Sequence, residues 1–510
     1  MPGPAARRTI PGLFRGAVDD APTATWLVAG DETLTYAGAL GRIERAAAWC
    51  RASGLTPGDR AIVTARSTPE FLLLWLGLME AGAVQVPVDP RSSPAELAGF
   101  VRQVEPAVIV TDADLRPAVA AAVAQVGAAA PIVDVADVFT AEPDGRGPAS
   151  VDPGAVAVMI PTSGTTGGSK LVMQTHRAYV MAGEGFPWWM GLTADDRLMT
   201  ALPLFHINAP AYSTLGSVAA RASLVLLPRF SAGSFLDAAR RYEATEFNAI
   251  GAMLEILMRQ PERPNDAHTP LRLCYTGPSP ERARQEAIEA RFGLEIVCGY
   301  ALSESPYGLI WPRGTRPFGT LGAARQHPDL GHVNDARIHE PDDAGVGELE
   351  LRNPAIMAGY YGMPERTAEV IVDGWLRTGD LVHANGDGTY TFVGRRKEVI
   401  RRRGENLSPT EVEAAAERHP DVAEAAVIGV PSDLSEEEVK AFLVPAVGRE
   451  IDVAELAAYL HGQLTRYKVP RYYEVVADLP HTPTGRLAKH RLPVDRTAAE
   501  VDVDGGPRPG

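Results

Sequence analysis

The sequence predicts an α/β protein of parallel sheets covered by helices, followed by a smaller α+β unit. Two observations carry this. Helix-like segments alternate with short β-branched runs through most of the chain, and the texture changes near residue 316 and again after 394. The greasy run FLLLWLGLM (71–79) stops at Glu80, far short of the about 20 apolar residues that span a bilayer, so it reads as a buried helix. AELAGFVRQVE (95–105) then leads into PAVIVTDA (106–113), and PAVAAAVAQVG (117–127) into APIVDVADV (130–138). FLDAARRYEA (235–244) precedes the apolar stretch FNAIGAM (247–253). From about 316, strands such as GELELRN (347–353) and GTYTFVG (388–394) alternate with Gly-rich turns, the pattern of a small antiparallel barrel. Beyond 394 comes a charged stretch. It is followed by helix SPTEVEAAAERH, strands VAEAAVIGV and VKAFLVPA, helix DVAELAAYLHGQL and strand YYEVVADL. The expected division is 1–394 (barrel-like part about 316–394), 395–498, and a Gly/Pro-rich tail, 499–510, read as disordered.

The chain has 510 residues, 49 Lys+Arg against 64 Asp+Glu, and a formal charge of −15. With 45% hydrophobic and 22% charged residues, global disorder is excluded. So is a surface built as a whole for nucleic acid or anionic lipid. An anionic substrate must then be met by local basic groups against the overall field. Cys50, Cys274 and Cys298 are widely spread without metal-ligand spacing, and a reduced, cytoplasmic setting is expected. MPGPAARRTIPG has no apolar stretch behind its arginines, so it does not read as a secretory signal. No membrane span is expected.

The segment MIPTSGTTGGSK (159–170) is the most telling. Thr162, Ser163, Thr165 and Thr166 supply hydroxyls. Gly164, Gly167 and Gly168 let backbone N–H groups approach phosphate oxygens, and Lys170 adds charge. The bland alternative is a Ser/Thr/Gly linker. Walker spacing is absent, because Ser169 precedes Lys170 and Leu171 follows it. Neither a G-x-S-x-G elbow nor an H-E-x-x-H helix occurs, so hydrolase and zinc-protease readings have no motif behind them.

PTSGTTGGSK resembles the signature loop of the adenylate-forming superfamily, which includes acyl-CoA synthetases, peptide-synthetase adenylation domains and luciferases. Other signatures follow in family order: LTYAGAL (34–40), LGLMEAGAVQVPVDP (76–90), LPLFHINA (202–209), GYALSES (299–305) and GYYGMPERTAE (359–369). They continue with DGWLRTGDL (373–381), GRRKEVIRRRGENLSPTEVE (394–413), YKVPR (467–471) and LPHTPTGR (479–486), covering about 30–493. The resemblance implies a large N-terminal domain of two stacked α/β subdomains plus a small β-barrel, with a small mobile α+β C-terminal domain. It also implies ATP, passing to AMP as an acyl-adenylate, with Mg²⁺ and a thiol such as coenzyme A.

By this resemblance, Thr162 to Lys170 close over the β- and γ-phosphates, and Thr166 and Glu304 occupy the magnesium-linked positions. Tyr300 resembles the aromatic stacked on adenine. TGPSP, with Gly277, Pro278 and Ser279, resembles the strip on the purine's other face, and Ser303 lies in the same matched motif as Tyr300. Asp380 resembles the carboxylate that takes both ribose hydroxyls, with Arg395 as its partner on that ribose. Lys397 falls at the hinge where the small domain swings. Plainer readings remain for each: a surface carboxylate for Glu304, a core aromatic for Tyr300, a solvated charge run for Arg395 and Lys397.

His206 matches an aromatic gate near the acyl tunnel. It also stands two residues before Asn208, where amino-acid-activating relatives carry Asp, which implies an acid without an amine. Asn208, Gly251 and Tyr275 are expected to line the acyl pocket. RRKEVIRRR (395–403) packs six basic residues into nine. With Arg401, Gly404 and Lys468 it suits the phosphates and slender arm of coenzyme A.

The family's C-terminal motif ends in Gly-Lys, and that lysine bridges the attacking carboxylate and the α-phosphate. Here Gly485 is followed by Arg486, with Lys489 three residues on. Guanidinium is a wide fork where ammonium is a point charge. A misfit at a charge-developing transition state costs about 3 kcal/mol, or on the order of 10²–10³ in rate. Ser169 and Leu171 in the loop, and Ala301, are smaller departures. Three expectations follow: a complete acyl-CoA ligase using Arg486, an enzyme running only thioesterification of an acyl-AMP made by a homologous adenylating partner, or a non-catalytic adenylate-binding protein. Loading of a carrier protein is the alternative to coenzyme A.

Overall fold

A computed structural model of the chain describes residues 9–162, 170–277, 279–280, 282–341, 345–395, 400–407, 409–432, 436–480, 487 and 489–504. Two mixed sheets form the large domain. One runs, from edge to edge, Gly359–Tyr360, Lys170–Thr175, Val156–Thr162, Val84–Pro87, Arg60–Thr64, Val108–Thr111 and Ile132–Asp134. Its last five strands are mutually parallel, and the β-branched runs predicted from the sequence occupy them. The other sheet has nine strands, and its parallel centre includes Arg197–Thr200, Glu246–Asn248, Leu273–Thr276 and Glu295–Leu302. A single apolar core runs between them, from Trp26 and Tyr36 through Trp75 to Tyr212 and Tyr275.

The helix Pro69–Ala81 shows how this core is organised. Thr68 caps it by accepting from Phe71 N, and Gly82 ends it at φ +77°. Every residue from Phe71 to Ala81 is buried, as expected of a run too short for a bilayer. At Gly77 a Cβ would lie 2.5 Å from Ala46 Cβ, so glycine sets the close approach to the helix Tyr36–Ala52. Among the described residues, no helix is long and apolar enough to cross a membrane.

The region expected to form a small barrel is a five-stranded antiparallel sheet. It runs Asp335–His339, Val346–Arg352, Trp375–Ala384 and Ile371–Val372, with Tyr390–Arg395 also paired to the long third strand. The C-terminal unit has its own core, which includes Val412, Val427, Leu443, Leu456 and Tyr473. Its sheet runs Val422–Pro431, Glu437–Pro445, Tyr472–Val475 and Val501–Asp502, with helices Pro409–Glu417 and Val453–Gln463 and a hairpin, Ile400–Arg402 to Glu405–Leu407. The tail corrects one expectation. Residues 499–504 do not stand apart: Val501 pairs with Tyr473, Arg471 binds Asp502 through two 2.9 Å hydrogen bonds, and Glu500 ion-pairs with the fully buried Lys440 at 3.0 Å. Burying that ammonium needs acidic partners, and the tail supplies one of them.

Candidate active site

The two strands that flank the expected phosphate loop pair with each other: Val156–Thr162 runs antiparallel to Lys170–Thr175, and Thr162 faces Lys170 in register. Lys170 Nζ stands 4.9 Å from the centre of the Tyr360 ring. The Tyr360 hydroxyl in turn donates to Glu304 Oε1 at 2.8 Å. One carboxylate, one ammonium and one phenol thus meet beside the loop. Among the described residues no group of three His, Cys, Asp or Glu forms a metal site. A lone carboxylate fits a magnesium ion held largely by phosphate oxygens.

Three strands meet where the sequence places the expected nucleotide contacts. The Tyr300 hydroxyl donates to Asp380 Oδ2 at 2.6 Å, joining strand Glu295–Leu302 to strand Trp375–Ala384. Asp380 pairs in register with Arg395, so the backbone places the two expected ribose partners side by side. Gly277 lies flat against the same strand: a Cβ there would be 2.3 Å from the Gly299 carbonyl oxygen. Ser279 Oγ accepts from Gly319 N at 3.3 Å, tying this strip to the loop beyond it. Ser303 presents its carbonyl to Gln174 Nε2 at 2.6 Å. The expectations for Ser163, Gly164, Thr165, Thr166, Gly167, Pro278, Lys397 and Arg486 lie outside the described residues, as does the side chain of Arg395. Lys489 forms an ion pair with Glu413 at 2.6 Å, inside the C-terminal unit.

Two residues expected on the acyl side come together: Asn208 Oδ1 accepts from Asn248 Nδ2 at 2.6 Å, and Tyr275 lies opposite Asn248 in register. Gly251 opens the helix Gly251–Met258 directly beyond them. His206, expected as an aromatic gate, is engaged by the small unit. Its Nε2 donates to Glu405 Oε2 at 2.6 Å, across the boundary between the two units. Glu405 follows the turn of the C-terminal hairpin, and its other oxygen is 3.4 Å from Arg91 Nη2. Burial pulls the His206 pKa down, but the charge and hydrogen bond of Glu405 outweigh it, and the net shift is upward. Glu405 shows the converse. Burial pushes it up, and His206 and Arg91 bring it below the ordinary carboxylate range.

Two of the expected anion-binding cations are engaged elsewhere. Lys468 Nζ donates to Glu96 Oε1 at 3.0 Å and to Glu411 Oε1 at 2.8 Å, so in this pose it clasps the large domain. Arg401 lies 3.3 Å from Glu436. Within the same basic run Arg402 is buried, ion-paired with Glu438 and donating to the carbonyls of Tyr467 and Val469 at 2.9 and 2.8 Å. The run is therefore partly a structural element of the small unit and not an open cationic strip.

Sequence reasoning missed Glu405 and Glu96. Glu405 lies in the matched GRRKEVIRRRGENLSPTEVE segment, and position alone could have marked it. Glu96 is the third residue of a capping box with Ser93, a local signal for a helix start. It also accepts from Thr465 N at 3.1 Å and Thr465 Oγ1 at 2.7 Å, while Ser93 Oγ donates to the Gln463 carbonyl at 3.1 Å. One helix N-terminus thereby holds the small unit in place. Between the large domain and the small unit a cleft of about 390 Å³, bordered by Arg102, Arg418 and Lys468, reaches inward to Thr162 and His206.

This clasp gives a direct expectation. Lys468→Met leaves Glu96 and Glu411 facing each other without a cation, and removing one partner of a buried pair costs about 3–5 kcal/mol. The small unit should leave this pose, read as a change in small-angle scattering profile, with a lowered melting temperature.

The comparisons agree with this architecture. The family model described as "AMP-binding enzyme" matches residues 14–361, and that described as "AMP-binding enzyme C-terminal domain" matches residues 411–486. The crotonobetaine/carnitine–CoA ligase of Salmonella paratyphi B is 30% identical over 486 residues, 90% of this chain and 93% of the relative. The ligase of the same name from Salmonella typhimurium is also 30% identical, over 487 residues, with the same coverage of both chains. Among solved structures, o-succinylbenzoate CoA synthetase from Bacillus subtilis, bound with a product analogue, superposes with a TM-score of 0.84 at 24% identity, covering 94% of this chain and 98% of that one. MatB from Rhodopseudomonas palustris, with ATP bound, gives 0.69 at 28% identity, covering 94% and 97%.

Proposed function

The chain belongs to the adenylate-forming superfamily, and from that membership we propose that it is an acid–thiol ligase of the acyl-CoA synthetase type. It joins a carboxylic acid without an α-amine to coenzyme A through an acyl-adenylate. The observation that carries this reading is the docking of the hairpin turn at Gly404 and Glu405 onto Ile250 and His206. That contact brings the small unit to the acyl side of the nucleotide platform and leaves the cleft as an entry for a slender thiol arm.

In this reading Asp380 and Tyr300 hold the AMP ribose and base, and the glycine strip at 277 lets the purine lie against backbone. Glu304 and the phosphate loop would hold Mg²⁺, which supplies neutralisation of the triphosphate charge. In the first half-reaction the acid's carboxylate oxygen attacks the α-phosphorus and pyrophosphate leaves. In the second, the thiol sulfur attacks the acyl carbon, AMP leaves and the thiol proton passes to solvent or the departing phosphate. His206, whose pKa Glu405 raises, stands on the acyl side, where its protonated form would stabilise negative charge developing on the acyl oxygen.

Arg486 in place of the usual lysine favours the second half-reaction over the first. Two assays test this. With a panel of acids, ATP and Mg²⁺, pyrophosphate exchange should be slow, and supplied acyl-adenylate with coenzyme A should give thioester readily. Arg486→Lys should raise exchange on the order of 10²-fold. Ordinary exchange in the unaltered chain would overturn the half-reaction reading. Absence of thioester by either route would overturn both enzymatic readings and leave an adenylate-binding protein. Thioester formed only on a carrier-protein arm would replace coenzyme A as the acceptor.

A further inference from the structure

Tyr360 meets both charged groups that stand beside the phosphate-loop strands. It is buried, and backbone on two sides fixes its place. Gly359 and Tyr360 pair antiparallel with Met173 and Val172, on the strand that begins at Lys170. The flanking bonds run from Ala358 N to the Met173 carbonyl at 2.8 Å and from Tyr361 N to the Leu171 carbonyl at 2.9 Å. Tyr360 N itself donates to Thr367 Oγ1 at 2.9 Å. Thr367 comes that close because residue 359 is glycine: at its φ of +135° a Cβ would lie 2.8 Å from Thr367 Cγ2. The ring is thus held without help from its own hydroxyl.

Ring and hydroxyl then serve two different charges. The hydroxyl donates to Glu304 Oε1 at 2.8 Å, and Lys170 Nζ stands 4.9 Å from the ring centre, within cation–π range. Glu304 lies in the turn between strands Glu295–Leu302 and Ser305–Ile310, and its carbonyl accepts from Met357 N at 2.8 Å. Turn and tyrosine strand are therefore joined through backbone as well. A carboxylate has two oxygens, and the phenol commits one of them, which orients the group and leaves the other outside this bond. Burial and the Glu304 charge both raise the phenol pKa, so the proton stays on the donor. The ring face, for its part, attracts the ammonium without neutralising it. A direct Lys170–Glu304 ion pair would spend the phosphate-binding cation on the metal-binding carboxylate.

We infer that Tyr360 is a positioning residue for the metal–triphosphate end of the site: its hydroxyl orients Glu304 for Mg²⁺, and its ring keeps Lys170 apart from Glu304 and available to phosphate oxygens. The inference rests on the ligase reading above and deepens it, by assigning two tasks to two parts of one side chain. Metal and lysine then answer to different substitutions. Tyr360→Phe keeps the ring and removes the hydroxyl. Tyr360→Leu removes both and lets the ammonium reach the carboxylate. The Tyr300–Asp380 contact does not involve Tyr360, so AMP serves as an internal control.

The test reads binding to the full chain by calorimetry, with no acid present and with three probes: Mg·ATP, ATP with EDTA, and AMP. The unaltered chain should bind Mg·ATP more tightly than ATP with EDTA. Tyr360→Phe should weaken Mg·ATP about tenfold, the low end for a hydrogen bond to a charged group, and leave the other two probes unchanged. Tyr360→Leu should weaken ATP with EDTA as well, by about threefold or more, through loss of the ring face. AMP should bind both variants as it binds the unaltered chain. A merely structural tyrosine would weaken all three probes together, and that result overturns the inference. So does an unchanged Mg·ATP affinity in Tyr360→Phe, or ATP binding in the unaltered chain that ignores Mg²⁺. Magnesium-selective weakening in Tyr360→Phe, in a chain that yields no thioester from any acyl-adenylate with coenzyme A, would sink the ligase reading and spare the role of Tyr360.

Discussion

Gly404→Val should abolish most thioester formation while leaving AMP bound at the Tyr300–Asp380 platform. Gly404 has φ +82°, a region that costs an L-residue about 1–2 kcal/mol and more when the side chain is β-branched. A Cβ there would stand 2.1 Å from Ile250 Cδ1, so overpacking adds about 1–3 kcal/mol. Together these disfavour the docked hairpin by about 2–5 kcal/mol, or a loss of roughly thirtyfold to several thousandfold in the population that carries the second half-reaction. Gly404→Ala should fall at the lower end, because the end of the Ile250 side chain can turn aside. The two contributions are separable. Ile250→Ala added to Gly404→Ala should recover the steric part and leave the backbone part, so the double variant should be faster than Gly404→Ala and slower than Ile250→Ala. Additive effects would show that Gly404 does not dock on Ile250 in solution. Single-turnover thioester formation from supplied acyl-adenylate is the measurement, since it isolates the half-reaction in which the hairpin takes part.

The parts of this site that were legible in the sequence are those in which chemistry and local chain run together. The hydroxyl- and glycine-rich loop, GYALSES and DGWLRTGDL each place their residues within a few positions. The register of Asp380 against Arg395 then follows from two adjacent strands. The helix Pro69–Ala81 was legible because an apolar run of that length has few other fates. Partners separated by long stretches of chain were not legible. Glu96 and Thr465 are 369 residues apart, and nothing in a capping box tells which donors will come to its carboxylate. Lys468 and Arg401 were read as cations facing anionic ligands, because a basic run gives charge but not its neighbours. The structure puts Glu411 and Glu436 beside them.

The contact between His206 and Glu405 makes docking of the small unit depend on pH, with limits on both sides. His206 has its pKa raised in the docked state, so its contribution is complete below the ordinary histidine value of about 6.5 and is lost only as pH rises through the raised value. Glu405 has its pKa lowered, so its contribution is present above the ordinary value of about 4.3 and is lost as pH falls through the lowered one. Docking should therefore be strongest between those ordinary values and persist beyond each. Glu405→Gln keeps the side-chain shape and removes the charge. Without Glu405, burial outweighs the remaining charge of Asp89 and lowers the docked His206 pKa, so the alkaline limb should disappear along with the acid limb from Glu405, and docking should instead weaken as pH falls through the histidine range. His206→Asn should remove the alkaline limb and leave the Glu405–Arg91 contact. Energy transfer between dyes on the two units, followed across pH with AMP present, reads docking independently of chemistry. An alkaline limb that stays in place in Glu405→Gln would show that the pair does not form in solution. The rate of thioester formation adds a second, opposing dependence, because thiolate increases with pH. Its optimum should accordingly lie above the docking optimum, and in Glu405→Gln the alkaline fall in rate should be lost while the maximal rate drops with the loss of the Glu405 contacts.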